Sequence, residues 1–139
     1  MTPASPSHLF AYGTLVLPAI YQRVTGFSRI GIPVRVTGYA RYALKGLSYP
    51  GLVPEPGGSA SGVLYQDLES EEWRRLDAFE DDFYVRERVA VADDRGRELI
   101  AQVYLIRPDR LDLVDSKPWS LDAFVADSLT PFLARISGE

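Results

Sequence analysis

The sequence has 139 residues, 46% hydrophobic and 24% charged, the balance of one folded domain rather than a disordered chain. Fifteen Lys and Arg against nineteen Asp and Glu leave a net charge of −4, which argues against a general affinity for phosphate backbones. There is no cysteine, so disulfides, thiolate metal sites and a cysteine nucleophile are excluded. The absence fits a reducing compartment.

Residues 1–7 are rich in Pro and Ser and lack the basic end and apolar run of a signal peptide. They read as a disordered leader to a single domain over 8–139. No run reaches the roughly 18–20 apolar residues of a membrane span. The expected location is cytoplasmic, without a membrane partner, and the expected state is a monomer.

His8 to Tyr12 is a short apolar run that stops at Gly13, as a buried strand entering a turn does. Pro18 suits the first turn of a short helix to about Thr25, where its missing N–H costs nothing. Pro33 to Leu47 reads as extended, with a bend near Gly38. Tyr49-Pro50-Gly51-Leu52 reads as a turn, followed by a loop from Pro54 to Ser61 built of Pro, Gly and Ser. Gly62 to Leu68 reads as a strand.

Ser70 is the expected N-cap of the next helix, with Glu71 and Glu72 complementing its dipole and an end near Glu80. Tyr84 to Ala92 and Glu98 to Ile106 flank Asp93-Asp94-Arg95-Gly96 as a β-hairpin. Ser120 caps a last helix with Leu121, Phe124, Val125, Leu129, Phe132 and Ile136 toward the core. Pro131 predicts a kink or break in it. Helical crossovers are too few for a parallel sheet, so the fold class is α+β with a curved or barrel-like sheet.

Glycine-rich nucleotide loops are absent. The only histidine, His8, leaves no partner for a histidine-rich zinc site or a Ser–His–Asp triad and reads as structural or solvent-facing. Asp81-Asp82 and Asp93-Asp94 are carboxylate pairs of the kind that attract hard cations, but at a helix end and a hairpin tip they read as solvated. No metal site is expected.

Glu80 stands apart. With Trp73 at zero and about 100° per residue, Leu76 falls near −60° and Glu80 near −20°. A helix reaching Glu80 aims its carboxylate along the core-facing stripe, where burial and the helix dipole raise its pKa, as a general acid/base near neutral pH requires. A helix ending one residue early instead frees Glu80 for water, or for Arg86 or Arg88. Tyr12-Gly13-Thr14-Leu15 is the second feature. A strand ending in Gly-Thr can turn sharply with several N–H groups aimed one way, a cradle for a carboxylate or oxyanion. It also reads as an ordinary strand-to-helix turn.

In order and spacing, Tyr12-Gly13-Thr14-Leu15, Tyr49-Pro50-Gly51-Leu52-Val53-Pro54, Gly62-Val63-Leu64-Tyr65, Leu76-Asp77-Ala78-Phe79-Glu80 with Tyr84 and Arg86, and Val103-Tyr104-Leu105 resemble the γ-glutamylcyclotransferase-like proteins. The branch resembled holds the avirulence-induced plant proteins and the γ-glutamylamine cyclotransferases, whose C-terminal helix Trp119 and Phe124 also resemble. The resemblance runs from about Leu9 to Ile136. It implies a small mixed β-barrel flanked by helices, with a cavity at one end. It places the family's catalytic glutamate on Glu80 and its substrate loop on Tyr12, Gly13, Thr14 and Leu15. Tyr49, Tyr84 and Tyr104 are the expected cavity walls.

The implied activity is cyclisation of a small-molecule γ-glutamyl substrate to 5-oxoproline with release of the attached amine, without metal or organic cofactor. The competing reading is a non-catalytic small-molecule-binding module of the same fold. A nucleic-acid or membrane surface built from Arg29, Arg35, Arg41 and Lys45 is opposed by the acidic balance.

Overall fold

The computed structural model describes residues 7–136. The expected leader lies outside them except for Ser7, whose carbonyl accepts the Leu68 N–H at 2.8 Å. The strands are β1 (Leu9–Ala11), β2 (Ile32–Leu44), β3 (Pro50–Tyr65), β4 (Tyr84–Asp93), β5 (Glu98–Ile106) and β6 (Val114–Pro118). The helices are α1 (Pro18–Thr25), α2 (Ser70–Phe79), α3 (Leu121–Asp127) and α4 (Leu129–Ile136), with 3-10 turns at Thr14–Val16 and Pro108–Leu113.

The sheet closes on itself. β1 pairs antiparallel with β3 and parallel with β5, β5 with β4, β4 with β2, and β2 returns to β3. Five strands thus form a mixed barrel, and β6 adds to β2 outside the ring. Closure leaves no free edge among the five, and the barrel with its helices is the α+β architecture expected.

Period-two alternation divides the core. Phe10 and Tyr12 of the first strand and its end point into the barrel, with Val36, Leu52, Leu64, Val91 and Val103. Leu9 and Ala11 point outward, where Ile20, Tyr21, Leu76, Phe124 and Phe132 of the helices cover them. This second layer positions the helices over one side of the barrel.

Several boundaries differ from the sequence reading. Pro50 to Ser61 is neither turn nor loop but most of β3, paired with β2 from Ala43↔Pro50 to Tyr39↔Pro54 and again from Thr37↔Ser59 onward. The register shifts opposite Gly38, at φ +84°, so the Pro- and Gly-rich residues 55–58 form an irregularity within a long strand. Pairing of the flanking residues to β2 carries the strand across this bulge, where Gly57 keeps a left-handed φ of +80°. The strand stops at Tyr65, because Asp67 takes a left-handed φ of 59°.

The N-cap of α2 is Glu69 rather than Ser70, in a capping box with Glu72. α2 ends at Phe79, one residue short of the expected end. The C-terminal helix breaks at Ser128, three residues before Pro131, because the ring cannot follow a continued α-helical backbone. Val125 is exposed on α3, whereas Phe124 and Phe132 are buried as expected.

Glu72 is the other surprise of α2. It is fully buried, taking Arg29 Nε at 2.6 Å, Arg29 Nη2 at 2.5 Å, the Glu69 N–H at 2.9 Å and the Tyr21 hydroxyl. Arg41 likewise turns inward to the carbonyls of Tyr12, at 2.8 Å, and Ser61, at 2.9 Å, beside the Trp119 ring. Arg29 and Arg41 are therefore structural cations, not members of a surface patch.

Candidate active site

A cavity of about 340 Å³ opens where the turn after β1 meets the end of α2, the starts of β3 and β4, and α4. The residues singled out from the sequence converge on it. Tyr12, Gly13, Thr14 and Leu15 line it from the turn, Tyr49, Tyr84 and Tyr104 from the walls, and Glu80 from the end of α2.

The turn is built locally. Gly13 O accepts from Val16 N–H and Thr14 O from Leu17 N–H, both at 3.1 Å, before Pro18 starts α1. The N–H groups of Thr14 and Leu15 come first in the 3-10 turn and have no intrahelical acceptor. Gly13 is required by packing, since a Cβ there would lie 2.9 Å from the Pro50 ring. Tyr12 turns into the barrel and donates its hydroxyl to Tyr104 O at 2.6 Å.

Glu80 is the C-cap of α2. Its N–H still bonds Leu76 O at 3.0 Å, but its ψ of 139° turns the chain out of the helix. The projection from a continuing helix therefore fails at this residue. The carboxylate nevertheless faces the cavity rather than Arg86, which pairs with Asp77 at 3.1 Å. Among the described residues no hydrogen bond or ion pair holds it. Burial, with the charges of Asp81 and then Asp77, pushes the Glu80 carboxyl up to about 8.

The tyrosines are held as neutral phenols. Tyr84 donates to Pro50 O at 2.7 Å, Tyr104 to Asp77 Oδ1 at 2.7 Å, and Tyr49 to Asp81 Oδ2 at 2.5 Å. Burial foremost pushes all three well above the ordinary phenol range, with the Asp partners of Tyr49 and Tyr104 adding to it.

Some lining residues escaped the sequence reading. Pro50 braces Gly13, Phe79 and Phe132 supply apolar wall, and Asp81 and Arg135 stand at the rim. Asp81 carried a signal, its position beside Glu80, but was read as solvated. Arg135 carried none, because its place depends on how α4 packs. His8 is structural, its Nδ1 accepting the Asp67 N–H at 3.2 Å. Among the described residues no cluster of three or more His, Asp or Glu could hold a metal ion, and no helix is long and apolar enough to cross a membrane.

With a carboxyl that no described residue pairs, pushed up to about 8, two N–H groups without an intrahelical acceptor and hydrogen-bonded phenols, the cavity suits proton transfer to a small polar molecule. A family model described as gamma-glutamyl cyclotransferase, AIG2-like, matches residues 9–121. Protein AIG2 C of Arabidopsis thaliana is 31% identical over 108 residues, 76% of this chain and 66% of that relative, so the chain spans just under two thirds of its length. A solution structure from Arabidopsis thaliana superposes with a TM-score of 0.73 at 22% identity, covering 99% of this chain and 84% of that one. A yeast γ-glutamyl cyclotransferase specific to glutathione gives a TM-score of 0.64 at 15% identity, covering 97% and 95%. At these identities the superpositions bear on the fold alone.

Proposed function

Because the chain belongs to the gamma-glutamyl cyclotransferase, AIG2-like family, we propose that it cyclises a γ-glutamyl group to 5-oxoproline and releases the attached amine. The observation that carries this reading is Glu80, a carboxylate that no described residue pairs, in one cavity with the turn from Tyr12 to Leu15.

Nucleophile and electrophile belong to one substrate, so the protein has to select a folded conformer and move protons. Glu80, as carboxylate, takes a proton from the substrate's α-ammonium. The freed amine attacks the γ-carbonyl carbon, forming the ring C–N bond and a tetrahedral oxyanion. The N–H groups of Thr14 and Leu15 stabilise that oxyanion or hold the α-carboxylate. As the original γ C–N bond breaks, Glu80 returns its proton to the departing nitrogen. A second proton, shed by the attacking nitrogen, goes to water or converts the released amine to ammonium. One carboxyl serves both transfers because they occur in sequence.

Phe79, Phe132 and the phenols wall the reaction off. Tyr49, Tyr84 and Tyr104 keep their protons, so they orient substrate as hydrogen-bonding groups rather than competing as acids. No step requires a metal or an organic cofactor.

The test is incubation with a panel of γ-glutamyl compounds, reading 5-oxoproline and released amine by mass. The reading predicts equal amounts of both from at least one compound. Saturable binding without 5-oxoproline from any of them would favour a non-catalytic binding module instead.

A further inference from the structure

The rim of the cavity carries one cation that the chemistry above does not use. Arg135 lies on the last described turn of α4, exposed, with its guanidinium 5.0 Å from the Phe132 ring and 5.9 Å from the Tyr49 ring. No carboxylate of a described residue pairs with it. Asp81, the other rim charge, is engaged by the Tyr49 hydroxyl.

Burial orders the cavity from floor to mouth. Tyr12, Thr14 and Leu15 are 7%, 7% and 6% exposed at the floor, with Glu80 beside them, whereas Arg135 is open at the mouth. A γ-glutamyl group closing its ring must sit at the floor, so its leaving group points toward Arg135. Stacking over two rings restricts the guanidinium while leaving its N–H edge available, and Arg suits a planar, two-pronged anion.

We propose that Arg135 determines specificity, selecting γ-glutamyl conjugates whose leaving amine carries a carboxylate over those whose leaving amine carries none. This rests on the cyclotransferase reading and adds the class of leaving group to it. Arg135 does not touch the reacting atoms; it holds the far end of the substrate, so its effect falls on KM more than on kcat.

A matched pair of substrates isolates the carboxylate: γ-glutamylalanine and γ-glutamylethylamide, which differ by that group alone. The expected kcat/KM of the parent is about tenfold higher for the alanine conjugate, as a charge-assisted hydrogen bond at a partly solvated rim supplies. Arg135→Gln should erase that ratio through KM, Arg135→Lys should restore part of it, and added salt should shrink it in the parent. Arg135 is exposed, so neither variant threatens the fold.

Binding of the same pair to Glu80→Gln, measured by calorimetry, separates this inference from the catalytic one. Tighter binding of the alanine conjugate, lost in the double variant with Arg135→Gln, upholds the role of Arg135 even if turnover fails. Equal turnover of both substrates by the parent, or an equal loss on both in Arg135→Gln, would overturn it while leaving the cyclotransferase reading intact. Failure of both compounds to bind would overturn it, while the cyclotransferase reading would then stand or fall on the wider panel of γ-glutamyl compounds.

Discussion

Tyr104 Oη donates to Asp77 Oδ1 at 2.7 Å and so straps the last turn of α2 to β5, three residues before Glu80. The other oxygen of Asp77 pairs with Arg86 of β4 at 3.1 Å, and the Arg86 guanidinium lies 4.6 Å from the Trp73 ring of α2. The end of α2 is thus fixed to two strands of the barrel, and the chain leaves the helix at Glu80 in one direction.

Tyr104→Phe should loosen that strap without opening a void. The expected loss is ~1–2 kcal/mol of stability, between a typical hydrogen bond and one to a buried charge, because Asp77 is half-exposed. Turnover should fall about tenfold as Glu80 loses its aim. Denaturant melts and steady-state rates for the two proteins check both.

The pH dependence follows from the carboxyl of Glu80, which titrates near 8 in the folded chain against about 4.3 in an unfolded one. The reaction begins with its carboxylate form, so kcat/KM should fall on acidification below about 8. Stability moves the other way. Between about 4.3 and 8 the folded state holds the proton that the unfolded state has lost, so this group's contribution declines as pH rises and is gone above 8. Glu80→Gln should therefore match the parent's melting temperature near pH 4 and exceed it increasingly toward pH 8.5.

Gly13→Val tests the substrate turn. Its side chain would meet the Pro50 ring, where even a Cβ comes within 2.9 Å, and Pro50 O anchors the Tyr84 hydroxyl. Two walls of the cavity would shift together. Binding of a γ-glutamyl ligand should weaken by about 10²-fold, as misplacement by an ångström can cost, while stability should fall by only ~1–3 kcal/mol. Isothermal titration beside thermal melts separates these effects; unimpaired binding would remove the turn from the site.

Arg29→Ala is the contrasting case, far from the chemistry. It would strand the buried carboxylate of Glu72 and should cost about 3–5 kcal/mol. Burial favours the neutral acid there, but Arg29, the Glu69 N–H and the Tyr21 hydroxyl together hold Glu72 below the usual carboxylate range. Its contribution to the parent is present above that range and is lost as pH falls through the folded pKa. The gap between parent and variant should therefore narrow in acid, as urea melts across pH would show, while kcat per folded molecule should hold.

What was legible in the sequence follows the range of the forces involved. The Asp93–Arg97 turn could be read because its chemistry is local: Asp93 Oδ1 accepts from the N–H groups of Arg95, at 3.0 Å, and Arg97, at 2.9 Å, and Gly96 takes φ +78°. The start of α1 at Pro18 is equally local. The long β3 could not be read, because β2 holds Pro54 and Ser59 extended while residues 55–58 between them locally prefer to turn. The Glu72–Arg29 pair spans 43 positions and leaves only a charged first turn to see. At the site, the apolar stripe of α2 drew attention to Glu80, although the helix stops before it and the strap at Asp77 supplies the direction. The motif in Tyr12 to Leu15 supplied the turn. Arg135 became visible only through the packing of α4 over the cavity.

The central claim is that Glu80 carries the protons. Gln at this position keeps the shape and an acceptor oxygen but cannot shuttle a proton, so Glu80→Gln separates chemistry from packing. The decisive measurement is the rate of 5-oxoproline formation by parent and Glu80→Gln, side by side, on a γ-glutamyl substrate that both bind. The account predicts a fall of about 10²–10⁴-fold with binding and fold retained. Turnover by Glu80→Gln at the parental rate would contradict it and leave Glu80 a structural acid.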